Sequence, residues 1–397
     1  MTVIIEKSKL LRADIIRQLY YKHPLSLTEL SRLTNKSLPL VTKVVNNLIT
    51  EGYIVEQGLA PSTGGRRASQ FLLNPDNQKY IVSIAMDQLI TRMVIYDLAH
   101  QMVVPVKSVH LIIAEDKYGV SKLVDFIKEN LLLAGIQRKN LLGVGLGMPG
   151  FINIEEGINH SYLKPENGQN LQQYLTAELD LPVFIDNDSS LIALAEWHFG
   201  AAKGMKDVLV ANIGWGTGLG MIVNGQLYRG SSGYAGEFSH IPLSNTNNLC
   251  SCGKRGCLEV ETSLLVMTQR AIAEIEGGAA SSMTTLFKDK SKDIGELFLE
   301  AASNHDPLAV SILSDAAFLL GKGLATLIHI MNPECIVLSG RGAMAGKILL
   351  PPIQQAINEF CIPRMADQTS IVLSELAVNA ELLAAASLVI ENSQFEF

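Results

Sequence analysis

Apolar residues at Leu10, Leu11, Ile15, Ile16, Leu19 and Tyr20 recur with a helical period, which predicts a first helix over 7–22. Beyond His23-Pro24, the run Ser26-Leu-Thr-Glu29 has the spacing of a capping box and opens a short helix through Leu30 and Leu33. After a turn, Ser37 is the candidate cap of another helix, with Pro39 in its first turn, where a missing N–H costs nothing. That helix places Val41, Val44, Val45, Leu48 and Ile49 on one face, and Thr42, Lys43, Asn46, Asn47 and Thr50 on the other. Gly52 ends it, and strands at 53–55 and 69–73 flank the tip Ala60-Pro-Ser-Thr-Gly-Gly-Arg-Arg67.

From about 80 onward the period switches repeatedly between two and 3.6. Strands over 80–85, 93–97 and 102–113 are expected as an antiparallel meander, followed by a helix over 120–134 and a buried strand over 141–147. A helix at 170–179, a strand at 182–185, a helix through Trp197 and a strand at 207–213 come next. After a glycine-rich turn and another strand, helices near 264–276, 293–303 and 306–331 surround a strand at 335–339. Alternation of this kind predicts an α/β body.

Charge changes the picture. The 397 residues carry a formal net charge of −7, which alone argues against nucleic acid. Residues 1–79, however, hold eleven basic and six acidic side chains, net +5, and 80–397 is net −12. A basic head on an acidic body is a two-part protein. Helix, short helix, polar-faced helix and a ribbon with a basic tip is the order of a winged helix-turn-helix. Its candidate DNA contacts are Ser37, Thr42, Lys43 and Asn46, with Arg66 and Arg67 at the wing. The N-terminus lacks the basic-then-apolar order of a signal peptide, and no run of 18 apolar residues occurs, so a soluble, cytoplasmic protein without membrane insertion is expected.

Four constellations carry candidate chemistry. Ile213-Gly-Trp-Gly-Thr-Gly-Leu-Gly220 lets backbone N–H groups approach an anion, with Gly214, Gly216, Thr217 and Gly218 as the candidate phosphate loop; a tight hairpin needs the same glycines. Asp186-Asn-Asp188 stands where a strand runs into a helix, so Asp188 is either a sugar ligand and general base or only the helix cap. His240, Cys250, Cys252 and Cys257 supply the Cys₃His set of a closed structural zinc site, against the alternative of free thiols. Leu338-Ser-Gly-Arg-Gly342 is a candidate nucleotide-side turn.

In order and spacing, the block His240…Cys250-Ser-Cys252…Cys257-Leu-Glu259, with Gly236-Glu-Phe-Ser-His240, Asn187-Asp188 and Gly214–Gly220, resembles the ROK family, named for repressors, open reading frames and kinases. The likeness covers nearly the whole chain, and Gly64-Gly-Arg-Arg67 is similar to the wing of the family's repressor branch, with Ala68 where proline is common. The resemblance implies an actin-like, sugar-kinase fold with a hexose in the interlobe cleft. The domains then run 1–75 (head), 76–185 with the C-terminal helix 380–397 (first lobe) and 186–379 (second lobe). It implies sugar contacts at Asn187, Asp188, Glu237, His240 and Glu259, with Gly147 and Gly150 lining the pocket, and Asp188 at the kinases' catalytic-base position.

One departure separates this chain from the kinases. Their Asp-x-Gly-Gly-Thr run, which grips ATP phosphates, corresponds here to Ser83-Ile-Ala-Met-Asp-Gln-Leu-Ile-Thr-Arg92, and no glycine occurs from 66 to 118. Ser239 also stands where glycine is usual. The reading is therefore a sugar-responsive repressor of carbohydrate genes that acts on operator DNA as a homodimer or homotetramer. An ATP-dependent hexose or N-acetylhexosamine kinase with a DNA-binding head stays open, as does a phosphotransferase-system protein as the signal.

Overall fold

The computed structural model describes residues 2–59, 67–289, 292–376, 379–393 and 395, so most of the wing tip, including Arg66, lies outside the described residues. The head comprises α1 (Thr2–Tyr21), β1 (Leu25–Ser26), α2 (Leu27–Thr34), α3 (Leu38–Thr50), β2 (Ile54–Leu59) and β3 (Ser69–Leu73). The Ser26 hydroxyl accepts from the Glu29 N–H at 3.3 Å while the Glu29 carboxylate accepts from the Ser26 N–H at 2.8 Å, closing the expected capping box. Ser37 sits at the corresponding position of α3 but makes no side-chain cap bond. Val41, Val44, Val45 and Leu48 are buried as the period requires; Ile49 is 37% exposed, because it lies at the rim of that face. The ribbon is antiparallel, in the order β1-β3-β2.

The first body sheet is built from β4 (Tyr80–Met86), β5 (Ile90–Asp97) and β6 (Met102–His110), then, after α4 (Gly119–Ala134), β7 (Leu141–Met148). A small ribbon, β8 (Ile152–Asn153) and β9 (Ile158–Asn159), and helix α5 (Leu171–Leu179) precede β10 (Val183–Asn187), giving the order β10-β7-β4-β5-β6. Helix α6 (Asp188–Phe199) leads to β11 (Val208–Ile213), β12 (Thr217–Val223) and β13 (Gln226–Leu227). Helices α7 (Glu259–Thr262), α8 (Leu264–Glu276), α9 (Met283–Leu286), α10 (Ile294–Ser303) and α11 (Pro307–Met331) then lead to β14 (Cys335–Ser339). Helices α12 (Leu350–Phe360) and α13 (Pro363–Ala366), strand β15 (Ser370–Leu373) and helix α14 (Asn379–Asn392) finish the chain, and the second sheet reads β13-β12-β11-β14-β15. By length and composition α11 is apolar enough to cross a membrane, yet its face from Ala309 to Ile328 is buried in the second sheet's core.

Two packing features shape the space between the sheets. Strands β4, β7 and β10 are parallel, as are β11, β14 and β15, so the carboxyl ends of both sheets meet. Between the sheets lies α6, packed tightly on β12: a Cβ at Gly218 would stand 2.0 Å from the Ser189 hydroxyl, and one at Gly220 2.4 Å from the Ser189 carbonyl. These two glycines admit a helix, and only the residues 214–216 form the turn. One hydrophobic core runs unbroken from the head (Ile15, Ile16, Leu48, Phe71) through β4 and β5 (Ile81, Val94) to α14 (Leu382, Ala386, Val389).

Candidate functional site

A cavity of about 530 Å³ opens where the two sheets face each other, a volume typical of small-molecule sites. Asp188 is the first residue of α6 and half-buried in its wall. Asn187 takes the capping role instead, accepting from the Ser189 and Ser190 N–H groups at 3.0 and 3.1 Å. The Asn187 amide also donates to the Gly150 carbonyl at 3.2 Å, tying the loop after β7 to the helix. Gly150 has φ +104, and a Cβ there would meet Ser161 at 2.8 Å, so a side chain would break that loop's packing. Gly147 does not line this cavity; it lies in β7 beneath Leu191.

Burial, reinforced by the charge of Glu381, pushes the Asp188 carboxyl up to about 7. Burial likewise raises Glu259 to about 7, opposed by hydrogen bonds from the Thr217 N–H (2.8 Å) and the Ser239 hydroxyl. Ser239, the unusual residue beside His240, thus holds a carboxylate of the cavity. Carboxyls of this kind accept bonds from hydroxyl groups and can take up a proton near neutrality. Glu237 and His240 complete this end, with His240 Nε2 3.6 Å from Glu237 Oε2.

The other ring nitrogen of His240 belongs to the metal cluster. His240 Nδ1 lies 3.6 Å from Cys250 Sγ, Cys252 Sγ lies 3.6 Å from Cys257 Sγ, and all four donor atoms fall within 4.8 Å of one another. The edges of a tetrahedron with Zn–S bonds of about 2.3 Å are ~3.8 Å, close to the two 3.6 Å separations, so the donor set and its spacing suit such an ion. The cluster could hold a metal, and it fixes the imidazole whose far side faces the cavity.

At the opposite end stand Arg341 and Asp87, whose pairing local sequence did not announce. Arg341, in the turn after β14, is buried; its Nη2 donates to Asp87 Oδ2 at 2.9 Å and its Nη1 to Glu296 Oε1 at 3.2 Å and to Asp293. Asp87 Oδ1 in turn accepts from the Leu89 and Ile90 N–H groups at 2.8 and 2.7 Å, closing the turn that lacks glycine. Glu381, at the start of α14, pairs with Arg92 of β5. In the turn 214–216, the Gly214 N–H already bonds the Gly216 carbonyl at 2.9 Å, and the Thr217 N–H bonds Glu259. In these two turns the amides of Leu89, Ile90, Gly214 and Thr217 are thus bonded within the protein. The turn Gly340-Arg-Gly342 was visible in sequence, but partners 254 and 45 positions from Arg341 were not.

In the head, Lys43, Asn46, Ser37 and Arg67 are exposed, and the Thr42 hydroxyl bonds back to the Leu38 carbonyl at 2.8 Å.

Residues 117–392 match the model of the ROK family. The chain belongs to this family. It is 27% identical to the xylose repressor of Caldicellulosiruptor bescii, across 93% of this chain and 92% of that protein. It is 33% identical to a glucokinase of Halalkalibacterium halodurans over 64% of this chain and 77% of the glucokinase. Among solved structures, a ROK family transcriptional regulator, a homolog of the E. coli MLC protein, superposes with a TM-score of 0.76 at 25% identity, covering 97% of this chain and 96% of that one. The glucokinase likeness omits about a third of the chain; the two regulator likenesses span the head as well as the body.

Proposed function

We propose that this ROK protein is a sugar-responsive transcriptional repressor, with operator DNA at the head and a sugar in the cavity between the sheets. The observation that carries the reading is helix α14. Its first turn places Glu381 on the cavity wall, and its last turn is held by the head: Arg17 Nε and Nη2 donate to the Ile390 and Ser393 carbonyls, each at 3.1 Å. Fourteen residues of helix span about 20 Å, so one rigid element runs from the cavity wall to the first helix of the head. Tyr21 of α1 also stacks on His198 of α6, with ring centroids 3.6 Å apart. A sugar that draws the sheets together moves α6 and α14, and with them the head; to act as a signal it must bind the two arrangements unequally.

The sugar contacts belong to Asp188, Glu259, Glu237 and His240, and the DNA contacts to Ser37, Thr42, Lys43, Asn46, Arg66 and Arg67. Zinc is the proposed ion of the Cys₃His quartet, with a structural role: three thiolates and an imidazole leave no open coordination position. Self-association fits the exposed apolar edge of β6, where Met102 is 55% and Val103 44% exposed. A cytoplasmic location agrees with three ligating thiols kept reduced.

The decisive measurement is mobility shift on DNA upstream of sugar-utilisation genes, with and without xylose, glucose or N-acetylglucosamine. Retention that weakens steeply with salt and changes with a sugar is expected; absence of any retention at low salt sinks the proposal. The same preparations should carry one zinc per chain by atomic absorption, and a Cys257→Ser variant should lose it. Asp188 keeps a kinase reading in view, since its proton affinity suits a general base. Because Leu89 and Ile90 stand in the turn without glycine and their amides are bonded to Asp87, ATP with each sugar should give no ADP release above background; steady turnover abolished by Asp188→Asn would establish the kinase instead.

A further inference from the structure

We infer that the Arg341 end of the cavity excludes phosphate groups, so that the effector is an uncharged monosaccharide and neither its phosphate ester nor a nucleotide. The inference rests on the proposed sugar cleft and adds the class of sugar. A buried guanidinium flanked by glycine turns has the makings of an anion site. Here its terminal nitrogens already face Asp87 from the turn after β4 and Asp293 and Glu296 from the start of α10. Three carboxylates around one guanidinium leave a net negative cluster, of which Asp87 and Arg341 line the cavity; on the same wall Glu381 is paired with Arg92, and Asp188 and Glu259 stand without a cation. Among the described residues lining the cavity, Arg341 and His240 are the basic ones, and His240 belongs to the metal quartet.

A phosphate ester brings about 1.5 to 2 negative charges. It would have to displace a carboxylate from Arg341 or sit beside several, and like charges at close range in a site of low dielectric are strongly unfavourable. Hydroxyl groups meet the opposite situation, because each donates to a carboxylate oxygen.

The test is isothermal titration of the full-length protein with xylose, glucose and N-acetylglucosamine, then with glucose 6-phosphate, N-acetylglucosamine 6-phosphate and a non-hydrolysable ATP analogue. At least one neutral sugar should bind, with the phosphate esters and the nucleotide at least 100-fold weaker. Asp87→Asn combined with Asp293→Asn then uncages Arg341. Both asparagines keep an oxygen for the backbone bonds that the aspartates accept, from Leu89 and Ile90 and from Glu296 at the start of α10, so the fold is preserved. In that variant the affinity for phosphate esters relative to neutral sugars should rise at least tenfold. A wild-type protein that binds a 6-phosphate as tightly as the parent sugar, or a ratio unmoved in the double variant, overturns the inference and leaves the repressor reading standing. Failure of every sugar and every ester to bind overturns both.

Discussion

At one end of the cavity Asp188 and Glu259 face open space, and burial raises both to about 7. At the other end Asp87, Asp293 and Glu296 close on Arg341, and the cluster bridges the two sheets. The residue types are nearly the same, yet the consequences differ. A carboxyl without a cation holds its proton and remains available to a ligand, whereas carboxylates around a guanidinium are satisfied before any ligand arrives. The first end can recognise hydroxyls, and the second ties the sheets together.

The contrast between the ends is tested most severely by removing the guanidinium. Arg341→Ala leaves Asp87 and Asp293, both largely covered, and the more exposed Glu296 without their counter-charge, and should cost about 3 kcal/mol in urea unfolding; a loss under about 1 kcal/mol would show that the cluster does not hold the sheets. At the open end, Asp188→Asn removes a carboxyl that ionises unfavourably and should make unfolding at neutral pH harder, not easier, yet weaken sugar binding about 10- to 100-fold by calorimetry, the loss of one strong hydrogen bond. Acidity separates the ends next. Asp188 is raised from 3.8 to about 7 on folding, so the stability it contributes is full below the ordinary carboxylate range and lost as pH rises through 7. The melting temperature of the sugar-free protein should therefore fall between about pH 4 and 7, and Asp188→Asn should flatten that slope. The smallest contrast lies in the head, where two serines hold the same helix-start position and only one hydroxyl caps. Ser26→Ala should cost about 1 kcal/mol, and Ser37→Ala less than ~0.5 kcal/mol.

Elements were legible wherever apolar residues recurred without interruption. Helices α8, α10 and α11 and strands β3 and β14 lie within a residue of their expected bounds, α8 through its apolar period and β14 as a short apolar run buried on both faces. Helix α12 and strand β15 went unassigned, since Pro351-Pro352 and the short run 370–373 give no clear period. In the cavity, the metal quartet was readable because its donors fall within 18 positions and tetrahedral ligation demands close spacing. The glycine run 214–220 was read as one loop, yet half of it serves the approach of α6, which no local signal announces.

By itself, the sequence determined a basic DNA-reading head on an acidic α/β body, a Cys₃His cluster and a nucleotide turn stripped of glycine, for all of these are written in residues near one another. What took the place of the missing phosphate grip was decided only by tertiary structure. Ion pairs act over a few ångströms regardless of chain separation, and folding alone brings Asp87 to Arg341, Arg92 to Glu381 and Arg17 to the end of α14.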